Sequence, residues 1–422
     1  MAAAVDKLAI DGGTPVASEA FPVGFLGSAE IGEPEIEAVT SVLRSKTVFR
    51  FLDPGNSWCT RLETRFKNLT GREHALAVGG GTAALVCGFA GVGIGDGDEV
   101  IIPGYTYIAT AAAILVCGAV PVICEVDETL TMDPADVEKK ITPRTKAIVP
   151  VHMRGLPCDM DRLVPLARKH NLLVVEDVAQ ACGGSYKGRP LGSFGEAGCF
   201  SLQQYKVITA GEGGIVVTDN AEVFQRAALR HDSAMLFWQP GETTVRAFPG
   251  TNFRMNELEG ALGCVQFDRL ESILARTRKV KRGIVDGLQG VDGVRLAPVN
   301  CPDGDLGIAA ILLCETGERA KRFAAALNAE GIPASSIYDK TVPDRHIYCH
   351  WEYVMEMTSS DAHGRPWTSP LHDQNRRYSP DMCPQTLDVL GRSIHIDITQ
   401  RYEQKHVDWI VQAVRKVAAA LA

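Results

Sequence analysis

The 422-residue sequence lacks the features that mark several large classes of protein. Lys and Arg number 43 against 51 Asp and Glu, so the net charge of -8 disfavours a nucleic-acid surface or a polybasic membrane patch. No apolar run approaches the roughly 18 residues of a membrane span. The first residues also lack the basic segment and apolar core of a signal peptide. We therefore expect a cytoplasmic protein whose partners are small molecules or another protein chain.

The twelve cysteines include no Cys-x-x-Cys pair. Many of them lie inside apolar runs, which is typical of buried, reduced thiols and not of a disulfide framework. The zinc-protease pattern His-Glu-x-x-His is also absent. His346, Cys349 and His350 have side chains that can ligate a metal, but no further ligand lies at motif spacing. We expect no metal site.

Two glycine-rich runs fail as nucleotide-binding loops. The run Gly91-Val-Gly-Ile-Gly95 would need glycine at position 96, where aspartate stands, and it leaves a helical segment instead of opening one. The run from Gly183 to Gly188 has the glycine spacing of a phosphate-binding loop, but Arg and Pro follow where Lys and Ser or Thr are required. The sequence therefore favours neither a dinucleotide fingerprint nor a Walker A loop.

Short apolar runs alternate with helix-like segments between residues 74 and 176. This spacing of strand, helix and strand predicts an α/β fold with a mostly parallel sheet covered by helices on both faces. Because the chain is too long for one ordinary core, we expect a large domain over residues 1–276 and a smaller C-terminal α+β domain over 277–422. The charged segment 276–282 is a candidate hinge, and the polar, proline-rich segment 355–381 predicts a long loop.

Several polar or glycine-rich positions lie where the predicted strands end, which is the edge at which such sheets bind ligands. Gly79–Thr82 ends one strand and opens a helix, so its backbone can approach an anion, although a tight turn explains the glycines equally well. Asp177 follows an apolar run and can cap a helix or pair with a buried ligand cation. Tyr107 can stack on a flat ligand or simply pack. Asn252 and Arg254 precede a predicted helix and can cap it.

Lys206, in the stretch SLQQYKVITAGEGG, adds an amine to this edge of the sheet. By itself it is an ordinary surface lysine. Taken with the glycine-rich turn, the aromatic side chain and the carboxylate, it matches the needs of pyridoxal 5′-phosphate. That cofactor requires donors for its phosphate, a wall for its ring, a carboxylate at its pyridine nitrogen and an amine for a Schiff base. The combination predicts this cofactor, whereas no single residue does.

The sequence resembles the DegT/StrS-type sugar and aminocyclitol aminotransferases, a family of fold type I enzymes that depend on pyridoxal phosphate. The resemblance covers most of the predicted large domain and is specific because the motifs occur together and in order. The matching segments are GGGTAAL (79–85), GDEVIIPGYTYIAT (97–110), ITPRTKAIVPVH (141–152), VVEDVAQACGGSYKGRPLGSFGEAGCFSLQQYKVITAGEGGIVVTD (174–219) and GTNFRMNELEGALG (250–263).

The resemblance implies a role for each matched position. Lys206 corresponds to the lysine that forms the Schiff base and moves the substrate proton, and Asp177 to the partner of the pyridine nitrogen. The other matched positions imply cofactor contacts: Gly81, Thr82 and Ser201 with the phosphate, Tyr107 with the ring face, Gln180 with the ring hydroxyl, and Asn252 with the phosphate in the neighbouring subunit. A homodimer with shared active sites follows from the same resemblance.

Three positions depart from the usual pattern of the family. Cys182 stands where many relatives have His, Gly80 stands where Ser is usual, and Arg154 replaces an apolar or aromatic residue. None of these changes removes a group that the cofactor needs. Cys182 and Arg154 nevertheless prevent a simple transfer of substrate preference from the family.

We therefore expect a pyridoxal-phosphate-dependent aminotransferase that moves an amino group from glutamate or glutamine to a keto sugar or keto cyclitol, in amino-sugar, aminocyclitol or antibiotic biosynthesis. One alternative is a sugar dehydratase or deoxygenase on the same fold, but such members have His where this chain has Lys206. Another is a cofactor-binding scaffold without turnover, which would not need the lysine. In the C-terminal part, Tyr338, His346 and His350 are weaker candidates for substrate contacts, and Arg50 and Trp58 for a dimer contact.

Overall fold

A computed structural model describes residues 7–238 and 244–421. Residues 1–6, at the start of the predicted large domain, and residue 422, at the end of the small one, lie outside the described residues.

The strands and helices follow one another in the order expected of an α/β chain, and the last four strands form a separate antiparallel sheet. The strands are β1 (His74–Val78), β2 (Glu99–Pro103), β3 (Val120–Cys124), β4 (Thr145–Ile148), β5 (Leu173–Asp177), β6 (Ser185–Tyr186), β7 (Arg189–Pro190), β8 (Ala197–Ser201), β9 (Gly214–Thr218), β10 (Arg295–Leu296), β11 (Ala309–Leu313), β12 (Ala334–Ser336) and β13 (Ser393–Asp397). The helices are α1 (Glu33–Ser45), α2 (Trp58–Thr70), α3 (Gly81–Gly91), α4 (Ala109–Val116), α5 (Pro134–Lys140), α6 (Met160–Lys169), α7 (Ala221–His231), α8 (Met235–Trp238), α9 (Glu257–Phe267), α10 (Leu270–Gly287), α11 (Gly317–Ala329), α12 (Glu352–Met355), α13 (Pro384–Gly391) and α14 (Gln404–Ala420).

The large sheet has the strand order β1-β9-β8-β5-β4-β2-β3. Neighbours from β8 to β3 pair in parallel, whereas β9 pairs antiparallel with both β1 and β8. Successive side chains of a strand point to opposite faces, and both faces are buried here. In β1, Leu76 and Val78 belong to one hydrophobic core, while Ala75 and Ala77 belong to the other. The prediction of a mostly parallel sheet buried on both faces is confirmed.

Strand β8 was not predicted from the sequence. Its residues, Ala-Gly-Cys-Phe-Ser, are all buried, yet they include a glycine and a serine and contain no β-branched residue, whereas β2, β3, β5 and β9 are rich in Val and Ile. Gly198 is required by close packing, because a Cβ atom there would lie 2.4 Å from the carbonyl oxygen of Gly192. The composition of β8 therefore reflects backbone contacts that only the folded sheet shows.

The smaller sheet is antiparallel and has the strand order β10-β11-β13-β12. One of its faces packs on α11 and α14 in a core that contains Ile394, Ile396 and Val414. The N-terminal segment joins this same core through Leu8 and Phe21. Residues near the N-terminus are thus built into the C-terminal lobe.

The charged segment 276–282 is not a hinge. It lies inside α10, a continuous helix from Leu270 to Gly287. The hinge prediction was wrong because the charged residues alternate with Thr277, Val280 and Ile284, which are buried along one side of the continuous helix. The predicted division at 276 and 277 stays a prediction, and the two lobes are interleaved along the chain.

The predicted loop over residues 355–381 is confirmed, since it lies between α12 and α13 as turns and irregular chain. It is anchored to the large lobe by buried side chains, although most of its residues are exposed. Trp367 and Tyr378 are buried in the large-lobe core, and the hydroxyl of Tyr378 donates to the carbonyl oxygen of Pro121 at 2.6 Å. The loop is therefore part of the large lobe, although it lies late in the sequence.

Among the helices of the described residues, none is both long and apolar enough to cross a lipid bilayer.

The buried carboxylate of Glu330, at the end of α11, ties the N-terminal segment to the small lobe. It accepts hydrogen bonds from the backbone N–H groups of Ala9 at 2.9 Å and Val16 at 3.0 Å and pairs with the ammonium group of Lys416 at 2.9 Å. We expect Glu330→Gln to lower the free energy of unfolding by roughly 3–5 kcal/mol, because Lys416 keeps a buried charge without its partner. Urea denaturation measures the change.

Limited proteolysis supplies the second measurement, since cleavage within residues 8–17 is expected to accelerate in Glu330→Gln. The matched control is Lys405→Gln, which removes an exposed ion pair between α14 and Glu19 of the same N-terminal segment. Exposed pairs contribute little, so the control is expected to match the wild type in both measurements. Equal effects of the two substitutions would contradict the role given to Glu330.

Candidate active site

A cavity of about 1490 Å³ opens at the carboxyl ends of the parallel strands. Its walls come from the large sheet, from the small sheet and from the N-terminal segment between Pro15 and Leu26. Of the residues singled out in the sequence, the structure brings these into its lining: Gly81, Thr82, Tyr107, Asp177, Gln180, Ser201 and Lys206. They come from separate strand ends, as the edge rule for parallel sheets predicts.

The glycine-rich turn after β1 forms a cradle at the N-terminus of α3. The first N–H groups of a helix have no partner within the helix, so they are available to an anion together with the positive end of the helix dipole. Ser201, at the end of β8, closes the cradle from the side. A Cβ atom at Gly81 would lie 2.7 Å from the Cβ and 2.9 Å from the Oγ of Ser201, so only glycine leaves this space open. The cradle suits a phosphate group.

Asp177 is a buried carboxylate at the end of β5, 5% exposed. Its Oδ2 accepts the hydroxyl of Thr110 at 2.8 Å, and its Oδ1 accepts the N–H of Ala179 at 3.1 Å. Because the Thr110 hydrogen is used in this way, the neighbouring Thr106 hydroxyl donates to Thr110 at 2.8 Å. The segment 178–184 forms turns, so the carboxylate does not cap a helix there.

The charge state of Asp177 is set by opposing effects. Burial raises its pKa above the ordinary value, and the hydrogen bonds from Ala179 and Thr110 and the charge of Lys206 work in the opposite direction. A cation or a protonated ring nitrogen placed beside this carboxylate would favour its ionised form. The carboxylate is therefore fixed in position and needs a positive partner.

Glu176 and His152 fix the strand end from the other face of the sheet. His152 accepts the N–H of Cys158 on Nδ1 at 3.1 Å, so its Nε2 carries the hydrogen that faces Glu176 at 3.3 Å. Glu176 also accepts the N–H groups of Gly192, Phe194 and Gly195 at 2.6–3.0 Å. Burial raises the pKa of Glu176, but these bonds outweigh it and hold the pKa below its ordinary value.

Lys206 lies in the connection between β8 and β9. Its N–H donates to the carbonyl of Gln203 at 2.9 Å, and its own carbonyl accepts the N–H of Gly27 at 3.2 Å, so the backbone is held on both sides. Burial lowers the pKa of Lys206, while the charges of Asp177 and Glu212 oppose this shift. A lowered pKa increases the fraction of neutral amine that can act as a nucleophile.

Gln180 presents its amide to the cavity and is anchored by a neighbour. Its Oε1 accepts the backbone N–H of Arg154 at 3.0 Å, which leaves the NH₂ group as a donor. Tyr107 is 48% exposed, and its ring lies 5.2 Å from that of His346, which also lines the cavity. These two side chains thus offer a donor and an aromatic face at the same site.

Asn252 does not belong to this constellation. It is exposed, accepts the N–H of Arg254 at 3.4 Å and lies outside the cavity lining. Arg254 pairs with Asp232 at 2.8 Å, and the cap of α9 is Asn256. The prediction that Asn252 acts in a neighbouring subunit requires a second chain and stays a prediction.

The weaker candidates divide between the cavity and the protein interior. His346 reaches the cavity lining, while Tyr338 and His350 lie outside it. Arg50 is buried and donates to the carbonyl of Ala77 at 2.9 Å and to Glu63 at 2.6 Å, which is a structural role. Trp58 begins α2. The described residues contain no cluster of three His, Cys, Asp or Glu side chains that could hold a metal ion.

Sequence reasoning missed groups whose partners are distant in the chain. Thr110 stands in the quoted stretch YTYIAT, but nothing local links it to Asp177, 67 residues later. His152 ends a quoted motif without revealing its bond to Glu176. His395 and Asp397, on β13, also line the cavity and had no signal of their own.

Pyridoxal phosphate fits the groups that are present. The cradle at Gly81 suits the phosphate group, and the carboxylate of Asp177 suits the ring nitrogen. The amide of Gln180 can donate to the ring hydroxyl, and the amine of Lys206 can react with the aldehyde. The role of each residue remains a prediction, since the fit shows compatibility alone.

Comparison with known proteins gives one family. The sequence profile described as the DegT/DnrJ/EryC1/StrS aminotransferase family matches residues 29–365.

Curated relatives carry the names of sugar and aminocyclitol enzymes. GDP-perosamine synthase of Caulobacter vibrioides is 41% identical over 223 residues, which span 52% of this chain and 58% of that protein, less than two thirds of its length. A UDP-N-acetyl-3-dehydro-α-D-glucosamine 3-aminotransferase of Acidithiobacillus ferrooxidans is 39% identical over 79% of this chain and 88% of its own. A putative L-glutamine:3-amino-2,3-dideoxy-scyllo-inosose aminotransferase of Streptoalloteichus tenebrarius is 35% identical over 68% of each chain.

A solved structure shows the same fold over nearly the whole chain. The crystal structure of DesV from S. venezuelae superposes with a TM-score of 0.73 at 29% identity and covers 91% of this chain and 94% of that one.

The bond from Thr110 to Asp177 leads to a pH-dependent prediction. We expect Thr110→Val to lower the free energy of unfolding at neutral pH by roughly 1.5–3 kcal/mol, because the buried carboxylate loses a donor. The folded-state pKa of Asp177 is already raised, and the substitution raises it further. The loss of stability is therefore complete above the folded-state pKa of Asp177. It shrinks as the pH falls through that pKa, since the protonated carboxyl depends less on the donor. Denaturation at several pH values measures it.

The matched control is Thr218→Val on β9. Thr218 is buried, and its hydroxyl donates to the carbonyl of Glu196 at 2.6 Å and accepts the N–H of Asn220 at 3.1 Å. Both partners are neutral, so the loss is expected to be constant with pH. A pH-independent loss in Thr110→Val would show that the hydroxyl does not act on the charge of Asp177.

Proposed function

Because the chain belongs to the DegT/DnrJ/EryC1/StrS aminotransferase family, we propose that it is a pyridoxal-phosphate-dependent enzyme that transfers an amino group from glutamate or glutamine to a keto sugar or keto cyclitol. Membership confirms the resemblance predicted from the sequence, together with the fold type I architecture and the activity class of a transaminase. The observation that carries the proposal is the convergence of Lys206, Asp177 and the Gly81 cradle on one cavity.

When bound, the cofactor would supply an aldehyde that accepts an amino group and a ring that withdraws electrons from the substrate carbon. Lys206 would hold the cofactor through its amine and would also carry the proton at the substrate carbon. The lowered pKa of Lys206 suits this work, because a neutral amine can accept a proton. Asp177, held by Thr110 and Ala179, would keep the ring nitrogen protonated.

The remaining residues would position the cofactor and the reactants. The N–H groups at the start of α3, with the hydroxyls of Thr82 and Ser201, would hold the phosphate, and the amide of Gln180 would donate to the ring hydroxyl. Tyr107 would cover one ring face. Fixing the cofactor at these points leaves the opposite side of the cavity for the amino donor and the carbonyl acceptor in turn.

The choice of a keto sugar or keto cyclitol rests on the names of the relatives. Two of them are named for nucleotide-linked sugars and one for an aminocyclitol precursor. The alternative of a dehydratase or deoxygenase stays less favoured, because Lys206 occupies the position at which such members have His.

We further infer a homodimer with shared active sites. Asn252 is exposed and lies outside the cavity of its own chain, which is compatible with a contact in a second subunit. The rings of Phe25 and Tyr205 lie 4.1 Å apart beside the Lys206 connection and are 49% and 58% exposed. Exposed apolar side chains grouped near a site favour a protein interface.

We also infer that the enzyme works in the cytoplasm. All twelve cysteines are free thiols, and most of them are buried. Burial raises the pKa of Cys182 to about 12 and that of Cys264 to about 12, which suppresses the reactive thiolate form. Unpaired, unreactive thiols are typical of proteins in a reducing compartment.

Replacement of Lys206 tests the proposed function. We expect Lys206→Ala to fold normally but to lose at least about 10²-fold in the release of 2-oxo acid from glutamate or glutamine, because the positioned proton carrier is gone. The wild type should transfer ¹⁵N from the amino donor into the product, as mass spectrometry would show. The control is Lys187→Ala, a lysine at the protein surface that pairs with Asp161. Full turnover by Lys206→Ala, or product without ¹⁵N from the wild type, would refute the proposal.

Mixing of inactive variants tests the shared active sites. Lys206→Ala and Asn252→Leu are each expected to be inactive as homodimers. In a mixed dimer one site combines the intact Lys206 of one subunit with the intact Asn252 of its partner, so equal mixing with subunit exchange should restore roughly a quarter of the wild-type activity. Sedimentation confirms the dimer. No recovery despite subunit exchange, which labelled subunits would verify, would contradict the placement of Asn252.

A further inference from the structure

The small sheet turns a polar face toward the active-site cavity. Along β13, Ile394 and Ile396 are buried in the small-lobe core, whereas the alternate residues His395 and Asp397 point to the other face and line the cavity. Ser335 of β12 pairs with His395 across the sheet and also lines the cavity. The small sheet thus gives the cavity a second polar wall, in addition to the groups around Lys206 and Asp177.

His395 is the most unusual group on this wall. It is 1% exposed, and neither of its ring nitrogens has a hydrogen-bond partner among the residues that the structure describes. The ring of Tyr105 packs edge-on against it, with the centroids 6.4 Å apart, which covers one side by an apolar contact. A buried imidazole without partners is costly, so a packing role alone does not account for it.

Arg154 reaches this wall from the large lobe. Its backbone is in the left-handed region at φ 58°. Residues other than glycine seldom adopt this conformation, and when they do it is often at a functional position. Its guanidinium contacts Asp397 through Nη2 at 2.5 Å, while its Nε is buried and has no partner within the described chain. The ion pair between Arg154 and Asp397 thus joins the two lobes and has an unused donor beside it.

We propose that His395, Arg154 and Asp397 form a subsite that binds the hydroxyl groups of a neutral, polyhydroxylated ring in the carbonyl acceptor. The subsite rests on the proposed function, since it lies in the cavity assigned to amino transfer. It assigns acceptor recognition to β13 and to Arg154, one of the positions at which the sequence departs from its family.

The chemistry of the three groups favours hydroxyls over an anion. The charge of Arg154 is already matched by Asp397, and the carboxylate of Asp397 would repel a second negative group. Burial and the nearby Arg154 lower the pKa of His395, so its ring is neutral and offers one donor and one acceptor. A hydroxyl group both donates and accepts, and it can therefore use every one of these atoms.

The subsite is connected to the cofactor position by one hydrogen bond. The backbone N–H of Arg154 donates to Gln180, whose amide is expected to contact the cofactor ring. Replacing the Arg154 side chain leaves this backbone bond in place. Acceptor binding can therefore be changed without removing the contact to Gln180, which makes the inference testable by substitution.

The test separates the two half-reactions of the holoenzyme. Donor consumption is followed as 2-oxo acid released from glutamate or glutamine, and acceptor use is followed with scyllo-inosose, a free 3-keto glucose and a UDP-linked 4-keto hexose. For whichever acceptor is turned over, we expect His395→Phe and Arg154→Lys each to raise its KM roughly 10-fold, the effect of losing one hydrogen bond, with the donor half-reaction unchanged. His395→Gln keeps a donor and an acceptor and should restore part of the loss.

The matched control is His406→Phe. His406 is also a buried histidine of the small lobe, but it lies on α14 outside the cavity lining, where its Nδ1 accepts the N–H of Glu403 at 2.8 Å. Its replacement is expected to lower stability without changing the acceptor KM. Equal effects of His395→Phe and His406→Phe on KM would show a general loss of structure and overturn the subsite.

Ring spectra of the histidines give a readout that does not depend on turnover. The ¹H–¹³C signal of His395, identified by its absence in His395→Phe, should shift when myo-inositol is added to the holoenzyme and stay in place when sodium acetate is added. A shift with acetate alone, or slowing of the donor half-reaction in both variants, would assign the wall to the donor carboxylate and overturn the proposal. If the wild type releases no 2-oxo acid, the proposed function fails; if it does and no variant changes the acceptor KM, the subsite alone fails.

Discussion

A carboxylate buried at the end of β5 is the feature on which the rest of the site depends. Asp177 can be ionised there only if donors and a positive partner surround it, because burial raises its pKa. Thr110 and Ala179 supply the donors, and Lys206 supplies charge from the next strand connection. The arrangement of β5 between β4 and β8 brings these groups within reach of one another. The sheet order therefore decides the electrostatics of the cavity.

The two adjacent carboxylates at the end of β5 lie on opposite faces of the sheet and have different partners. Asp177 faces the cavity, whereas Glu176, the residue before it, faces the other side of the sheet. Glu176 accepts hydrogen bonds from backbone N–H groups in the turn after β7 and from the ring of His152. One carboxylate is satisfied completely by protein groups and holds the chain in place. The other keeps room for a ligand cation. Two adjacent acids thus differ in role because a strand turns successive side chains to opposite faces.

The sequence was sufficient for the parts of the fold that depend on local pattern. The apolar runs at β1 to β5 predicted strands, and their ends predicted where Gly81, Tyr107 and Asp177 would meet. Strand β8 was not predicted because its sequence has no repeating pattern. Gly198 is required by close backbone packing, and Ser201 lies against the cradle at Gly81. The Arg276–Arg282 segment misled because a charged stripe on one side of a helix looks, in sequence, like a linker.

The contacts that could not be predicted are those between positions far apart in the chain. Arg154 and Asp397 are separated by 243 residues, and no periodicity relates them. Local rules describe one element at a time, whereas this pair depends on how the small sheet is placed against the large one. The pattern of β13, with its alternation of Ile and polar residues, indicates a half-buried strand but not what its polar face meets.

That placement is governed by α10, whose first half packs in the large-lobe core through Ile273 and Leu274 and whose second half packs in the small-lobe core through Val280 and Ile284. Because one continuous helix packs in both cores, a change in its length shifts the position of one core relative to the other. One residue added near its middle would turn everything beyond it by about 100° and move it by about 1.5 Å along the axis. Related chains should therefore vary α10 by substitution and conserve its length, while loops elsewhere are free to grow or shrink.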